Sequence, residues 1–124
     1  MMNPKRILII EDEADISNII KNVMSLAQID CAIASNGQQA MDLLATQHFN
    51  AMILDLTLPD IQGIKLYHQI VAKYPHLKGK CLFTTGYNLD PELEQLIAQT
   101  GDHFMQKPFQ LMELKDLMVK LVSE

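Results

Sequence analysis

The sequence predicts an α/β fold in which five parallel strands form one doubly wound sheet with five helices packed on its two faces. Three observations predict it. Short continuous apolar runs such as Ala51-Met52-Ile53-Leu54 lack the polar alternation of a half-exposed strand and read as strands covered on both sides. Between such runs lie segments whose apolar residues recur at three and four, the spacing of a helix with one buried stripe. Strand and helix patterns alternate five times within 124 residues, a length that suits one domain with one core, so the strands are parallel and the crossovers right-handed. A sheet of this size commonly takes the order 2-1-3-4-5, which makes strands one and three central neighbours.

Taken in order, Arg6 to Ile10 is the first buried strand, and Glu11, Asp12 and Glu13 stand at its exit. From Asp15, the residues Ile16, Ile19, Ile20, Val23, Met24 and Ala27 form a helical stripe, with Asn18, Lys21, Asn22 and Ser25 on the polar face. Cys31 to Ala34 is a weaker second strand, and Ser35-Asn36-Gly37 turns into a helix carrying Ala40, Met41, Leu43 and Leu44. The central strand from Ala51 ends on Asp55. After the loop from Pro59 to Gly63, a helix carries Ile64, Leu66, Tyr67, Ile70 and Val71 and stops at Pro75. Lys80 to Thr84 is strand four. Asn88 to Pro91 supplies an aspartate cap and a first-turn proline for a helix faced by Leu93, Leu96 and Ile97, and Gly101 closes it. His103 to Gln106 is strand five, and Leu111, Leu114, Leu117, Met118 and Leu121 line the last helix.

Composition excludes several classes. Lys plus Arg is 10 against 15 Asp plus Glu, a formal charge of −5, and an acidic surface repels phosphate backbones and anionic lipid, so direct nucleic-acid binding is not expected. No apolar run approaches the roughly 20 residues of a membrane span, and Ile7 to Ile10 is cut short by acids before it resembles a signal peptide. The expectation is a cytoplasmic chain. Cys31 and Cys81 have no metal-type spacing and read as buried filler. In the predicted order they fall on strands about 14 Å apart, too far for a disulfide.

The chemistry concentrates at one end of the sheet. With strands one and three adjacent, Glu11 and Asp12 meet Asp55 in the crevice outside the strand ends, where open α/β sheets hold their ligands. Three carboxylates there repel one another and raise one another's pKa. Lys107, just past strand five, can reach Asp55, and the two negative charges left over are what one divalent ion balances. Hard oxygen ligands suit Mg2+, which keeps waters and phosphate oxygens in its shell, so the pocket looks made for a phosphoryl group with Asp55 as nucleophile. Taken alone, Asp12 and Glu11 are also what favours the positive end of the first helix. Thr84-Thr85-Gly86 ends strand four, where a hydroxyl beside a small residue suits a phosphoryl oxygen.

These residues also carry a resemblance. An acidic pair after strand one, Leu54-Asp55-Leu56-x-Leu58-Pro59-x-x-x-Gly63, Thr85-Gly86 after strand four and Lys107-Pro108-Phe109 stand in order and at matching spacing. From Lys5 to about Val122 the chain resembles the receiver domain of two-component response regulators, a flavodoxin-like fold like that of the bacterial chemotaxis regulator. The expectation is a single receiver domain over 1–124, a signalling domain that catalyses only its own phosphorylation and dephosphorylation.

The resemblance implies Asp55 as phosphoacceptor, Asp12 as a direct Mg2+ ligand, Glu11 acting through water and the backbone carbonyl of Thr57 as a further ligand. It implies Thr85 as the switch hydroxyl, Lys107 as the phosphate contact and Phe104 as the rotameric aromatic, here without the hydroxyl a tyrosine would bring. Thr57 and Tyr87 fall where the family tunes dephosphorylation, and the Lys107-Pro108 bond is expected to be cis. The implied donor is a phosphohistidine on a sensor histidine kinase or a histidine phosphotransfer domain. The implied output is a protein effector, or a receiver dimer, met through helix four, strand five and helix five. Rival readings are a pseudo-receiver that only binds protein, a haloacid-dehalogenase-type phosphatase and a flavodoxin-like electron carrier. The phosphatase wants a second aspartate where Thr57 stands, and the carrier's phosphate loop is where Glu11 and Asp12 would repel it.

Overall fold

The computed structural model describes residues 4–87 and 90–124. Five parallel strands, β1 (Arg6–Ile10), β2 (Asp30–Ala34), β3 (Ala51–Asp55), β4 (Cys81–Thr85) and β5 (His103–Gln106), form one sheet in the order β2-β1-β3-β4-β5. The helices are α1 (Ala14–Ser25), α2 (Gly37–Thr46), α3 (Gly63–Lys73), α4 (Pro91–Gln99) and α5 (Leu111–Ser123), with a single 3-10 turn at Pro75–Leu77. The predicted order and the five-helix count hold, and boundaries move by one or two residues.

Alternation along the strands sorts side chains to two cores. Leu8 and Ile10 of β1 join Met52, Leu54 and Phe83 under Ala40, Leu44, Leu66, Tyr67, Ile70 and Ile97 of α2, α3 and α4. Ile7 and Ile9 face the other way, with Ile53 and Leu82, against Ile20 and Met24 of α1 and Leu114, Met118 and Leu121 of α5. Every residue of β3 and β4 is buried, as the inner strands of a sheet covered on both faces should be, whereas the edge strand β2 is only partly covered.

One expectation for α1 needs correcting. Helical spacing puts Ile19 in the buried stripe, yet it is 47% exposed and Ser17 is buried instead. The fully buried positions of α1 are Ser17, Ile20 and Met24, with Ile16 and Ala27 packed beside them, and Ser17 tolerates burial because its hydroxyl donates locally to Ala14 O at 3.1 Å. At α4 the expected cap is present: Asp90 accepts from Leu93 N–H at 2.8 Å, Pro91 opens the helix, and Gly101 follows it at φ +82°. Asn88, grouped with that cap by sequence, lies outside the described residues. Pro75 follows α3 as expected and opens the 3-10 turn. Cys31 and Cys81 are free and buried, and burial pushes the Cys31 thiol up to about 12. Among the described residues no helix is long and apolar enough to cross a membrane.

Candidate functional site

The parallel register brings the strand ends level. Ile10 pairs with Leu54, Asp55 with Thr84, and Thr85 with Gln106, so the residues just beyond each end share one rim. Backbone bonds carry the alignment past the strands: Glu11 N–H donates to Ala34 O at 2.9 Å, Leu56 N–H to Thr84 O at 2.9 Å and Lys107 N–H to Thr85 O at 2.7 Å. Glu11, Asp12, Asp55 and Lys107 are thereby delivered to one place from three strands.

Glu11, Asp12 and Asp55 each offer a carboxylate oxygen, and these oxygens lie within 4.8 Å of one another. Glu11 is 3% exposed and Asp55 4%, while Asp12 opens to solvent. Lys107 Nζ sits between the two buried acids, 2.6 Å from Glu11 Oε1 and 3.2 Å from Asp55 Oδ2. Two fixed amides complete the inner hydrogen bonding: Thr57 N–H donates to Asp55 Oδ1 at 3.0 Å and Glu13 N–H to Glu11 Oε2 at 3.2 Å.

The charges remain uneven. Burial pushes Glu11 up to about 7, Lys107 works against the shift, and Asp55 adds to it. Lys107 is raised as well, because its bonds to Glu11 and its attraction to Asp55 outweigh the burial that disfavours its charge. The two shifts have different causes: burial raises Glu11 against the pull of Lys107, while the two acids raise Lys107 against its own burial. The donor set is all oxygen and short of positive charge, which is the chemistry of a hard divalent cation such as Mg2+. A polar cavity of about 310 Å³ opens beside it, lined by Asp12, Glu13, Asp55, Thr57, Gly86, Tyr87 and Lys107.

The other predicted residues are placed differently. Thr85 is buried at the end of β4, outside that lining, and its Oγ1 accepts from Tyr87 N–H at 3.1 Å, with no acceptor for its own proton among the described residues. Tyr87 borders the cavity but is 72% exposed. Phe104 is half-buried and packs against the core beneath α3 and α4. The Lys107-Pro108 peptide is cis, as expected. Sequence reasoning assigned no role to Asp60, which caps α2 from the turn after β3, or to Gly63, where a Cβ would collide with the Asp55 backbone. The signal for Gly63 was its place in the quoted motif. For Asp60 there was none, because its partners lie more than twenty residues upstream.

Known proteins resemble this chain in sequence and in fold. Residues 7–119 match the family described as the response regulator receiver domain. The chain is 30% identical over 117 residues to the response regulator protein PilR of Pseudomonas aeruginosa, covering 94% of this chain and 26% of that protein. It is 26% identical over 112 residues to the transcriptional regulatory protein TrcR of Mycobacterium tuberculosis, covering 90% and 43% respectively. The chain thus spans less than half the length of these curated relatives. Among solved structures, the non-phosphorylated HemR receiver domain of Leptospira biflexa superposes with a TM-score of 0.85 at 27% identity, over 97% of this chain and 95% of that one. A CheY-like receiver domain from Methanospirillum hungatei shares the fold, with a TM-score of 0.86 at 23% identity over 98% and 95%. A chain matched over almost its whole length, with its acids and lysine gathered at the strand ends, belongs to the response regulator receiver domain family of two-component systems.

Proposed function

We propose that the chain takes a phosphoryl group from a phosphohistidine onto Asp55 and returns it to water. The observation that carries this reading is the cluster itself: three carboxylates within 4.8 Å, two of them buried and sharing Lys107. Asp12, Asp55 and the Thr57 backbone carbonyl would hold Mg2+, with Glu11 acting through water. Bound there, the ion supplies charge neutralisation to the phosphoryl oxygens.

The chain's own residues do the remainder. An Asp55 oxygen attacks phosphorus in line as the P–N bond to the donor imidazole breaks, leaving an acyl phosphate on Asp55 and, since the donor ring is protonated at its other nitrogen, neutral histidine on the donor. Lys107 follows the negative charge from carboxylate to phosphoryl oxygen over a short distance, since it already rests 3.2 Å from Asp55. Thr85 donates its free proton to another phosphoryl oxygen. Drawing Thr85 inward vacates space into which Phe104 turns, and the surface of α4, β5 and α5 changes with it, a local charge event biasing a two-state element. That surface then selects a protein effector or a second receiver. Thr57 and Tyr87, at the cavity rim, set the rate at which water reaches the acyl phosphate.

Intact mass after incubation with Mg2+ and a small-molecule acyl phosphate tests the assignment. The parent chain gains one phosphoryl group and Asp55→Asn gains none. An undiminished adduct on Asp55→Asn removes Asp55 as nucleophile, and an unlabelled parent leaves a pure binding module.

A further inference from the structure

Asp60 lies at the tip of the turn between β3 and α3, exposed, yet both its oxygens are engaged. Oδ1 accepts from Gly37 N–H at 2.8 Å and Oδ2 from Gln38 N–H at 3.1 Å. These are the first amides of α2, and the next, Gln39 N–H, is taken by Asn36 Oδ1 at 2.8 Å. The free N–H groups that begin any helix are here met by two segments, a local cap at Asn36 and a distant one from the turn. The Gly37 bond holds the Asp60 carboxyl below its usual range, so the anchor stays ionised against the positive end of α2.

The turn is tied at its base too. Gly63 N–H donates to Leu56 O at 2.9 Å, and Thr57 pairs with Gln62 in an isolated antiparallel bridge. Gly63 lies hard against the Asp55 backbone, and Gly37 leaves so little room that a Cβ there would press on Ile61. The stretch from Leu56 to Gly63 is therefore held between β3 at one end and α2 at the other. Thr57, whose amide reaches Asp55 Oδ1, sits between the two fastenings.

We propose that Asp60 is a positioning residue for the cation site: by fastening the turn to α2 it holds the Thr57 backbone carbonyl beside Asp55. This rests on the reading of the cluster as a Mg2+-dependent phosphoacceptor site. With both oxygens engaged at α2, Asp60 would touch neither the cation nor phosphate and acts only through the turn. α2 and the rim of the site then move as one body.

Three variants test it: Asp60→Ala, Asp60→Asn and Asn36→Ala, the last removing a cap from the same helix end without touching the turn. Calorimetric titration with Mg2+, melting temperature and amide hydrogen exchange of the metal-free chain are measured for each. Asp60→Ala is expected to weaken Mg2+ binding about tenfold, the effect of losing a residue that orients a metal ligand, and to speed exchange at Thr57 and Gly63. Asp60→Asn keeps one acceptor and falls between parent and Asp60→Ala. Asn36→Ala melts earlier but binds Mg2+ as the parent does. Parent-like Mg2+ affinity and parent-like exchange in Asp60→Ala would overturn the inference and leave Asp60 a helix cap alone, and should that variant not fold, Asp60→Asn decides by the same criterion. A parent chain that binds no Mg2+ overturns the phosphoacceptor reading and this inference together, an outcome distinct from a parent that binds and an Asp60→Ala that binds equally well.

Discussion

The sheet carries a buried carboxylate at each end, and the two are provided for in opposite ways. At the amino end, just before β5, Asp102 is 6% exposed and accepts from Cys81 N–H at 2.9 Å, from the Thr100 hydroxyl at 2.6 Å and from the Tyr67 hydroxyl. At the carboxyl end, Asp55 is 4% exposed and has one amide and a half share in Lys107. Burial is nearly equal, so burial does not separate structure from function here. Supply of donors does. Fixed neutral donors surround Asp102 and lock α3, β4 and the end of α4 together, whereas the Asp55 cluster is short of positive charge and has a cavity in which to receive it.

The largest effect that would break this comparison is at the amino end. Asp102→Ala leaves the Tyr67 hydroxyl and Cys81 amide without acceptors and should cost about 3 kcal/mol, read by urea denaturation, since each orphaned buried donor costs about 1–3 kcal/mol. A loss near zero would mean the network is not structural. At the carboxyl end the sign reverses and depends on pH. The Glu11 carboxyl is raised to about 7 by burial and Asp55, so its contribution to stability is full below the ordinary carboxylate pKa and is lost as pH rises through about 7. Glu11→Gln has no charge to acquire. Its melting temperature in metal-free buffer should therefore gain on the parent's as pH goes from 5 to 8, and a constant gap would contradict the shift.

Smaller changes sharpen the contrast. Tyr67→Phe removes one donor from Asp102 while Thr100 stays, and a loss of about 1 kcal/mol is expected in the same denaturation experiment. Tyr87→Ala should leave stability within about 0.5 kcal/mol, because the ring is 72% exposed. Acyl-phosphate lifetime, followed by loss of the mass adduct, should shorten in that variant.

What could be read in advance divides along the same line. The apolar run of β3 and the acids at the strand ends were legible, because two-sided burial and parallel register are expressed in local residue order. Glu11, Asp12 and Asp55 followed from topology once strands one and three were neighbours, and Lys107 from its place just past strand five on a stem long enough to reach across. Asp102 and Asp60 were not legible, since their partners come from other elements and an aspartate beside a glycine or proline looks like any turn residue. Ile19 misled for a related reason: helical spacing marks an apolar face, and which part of it is covered depends on where α5 and the loop before it settle.

The central claim is that the carboxylates at the strand ends form an incomplete charge set that a divalent cation completes. Melting temperature of the metal-free chain at pH 7.5, with and without saturating Mg2+, measures this directly in the parent, Asp55→Asn and Tyr67→Phe. A marked rise with Mg2+ in the parent and in Tyr67→Phe, and little or none in Asp55→Asn, is the predicted result. A parent whose melting temperature ignores Mg2+, or an Asp55→Asn that rises as much as the parent, would contradict it.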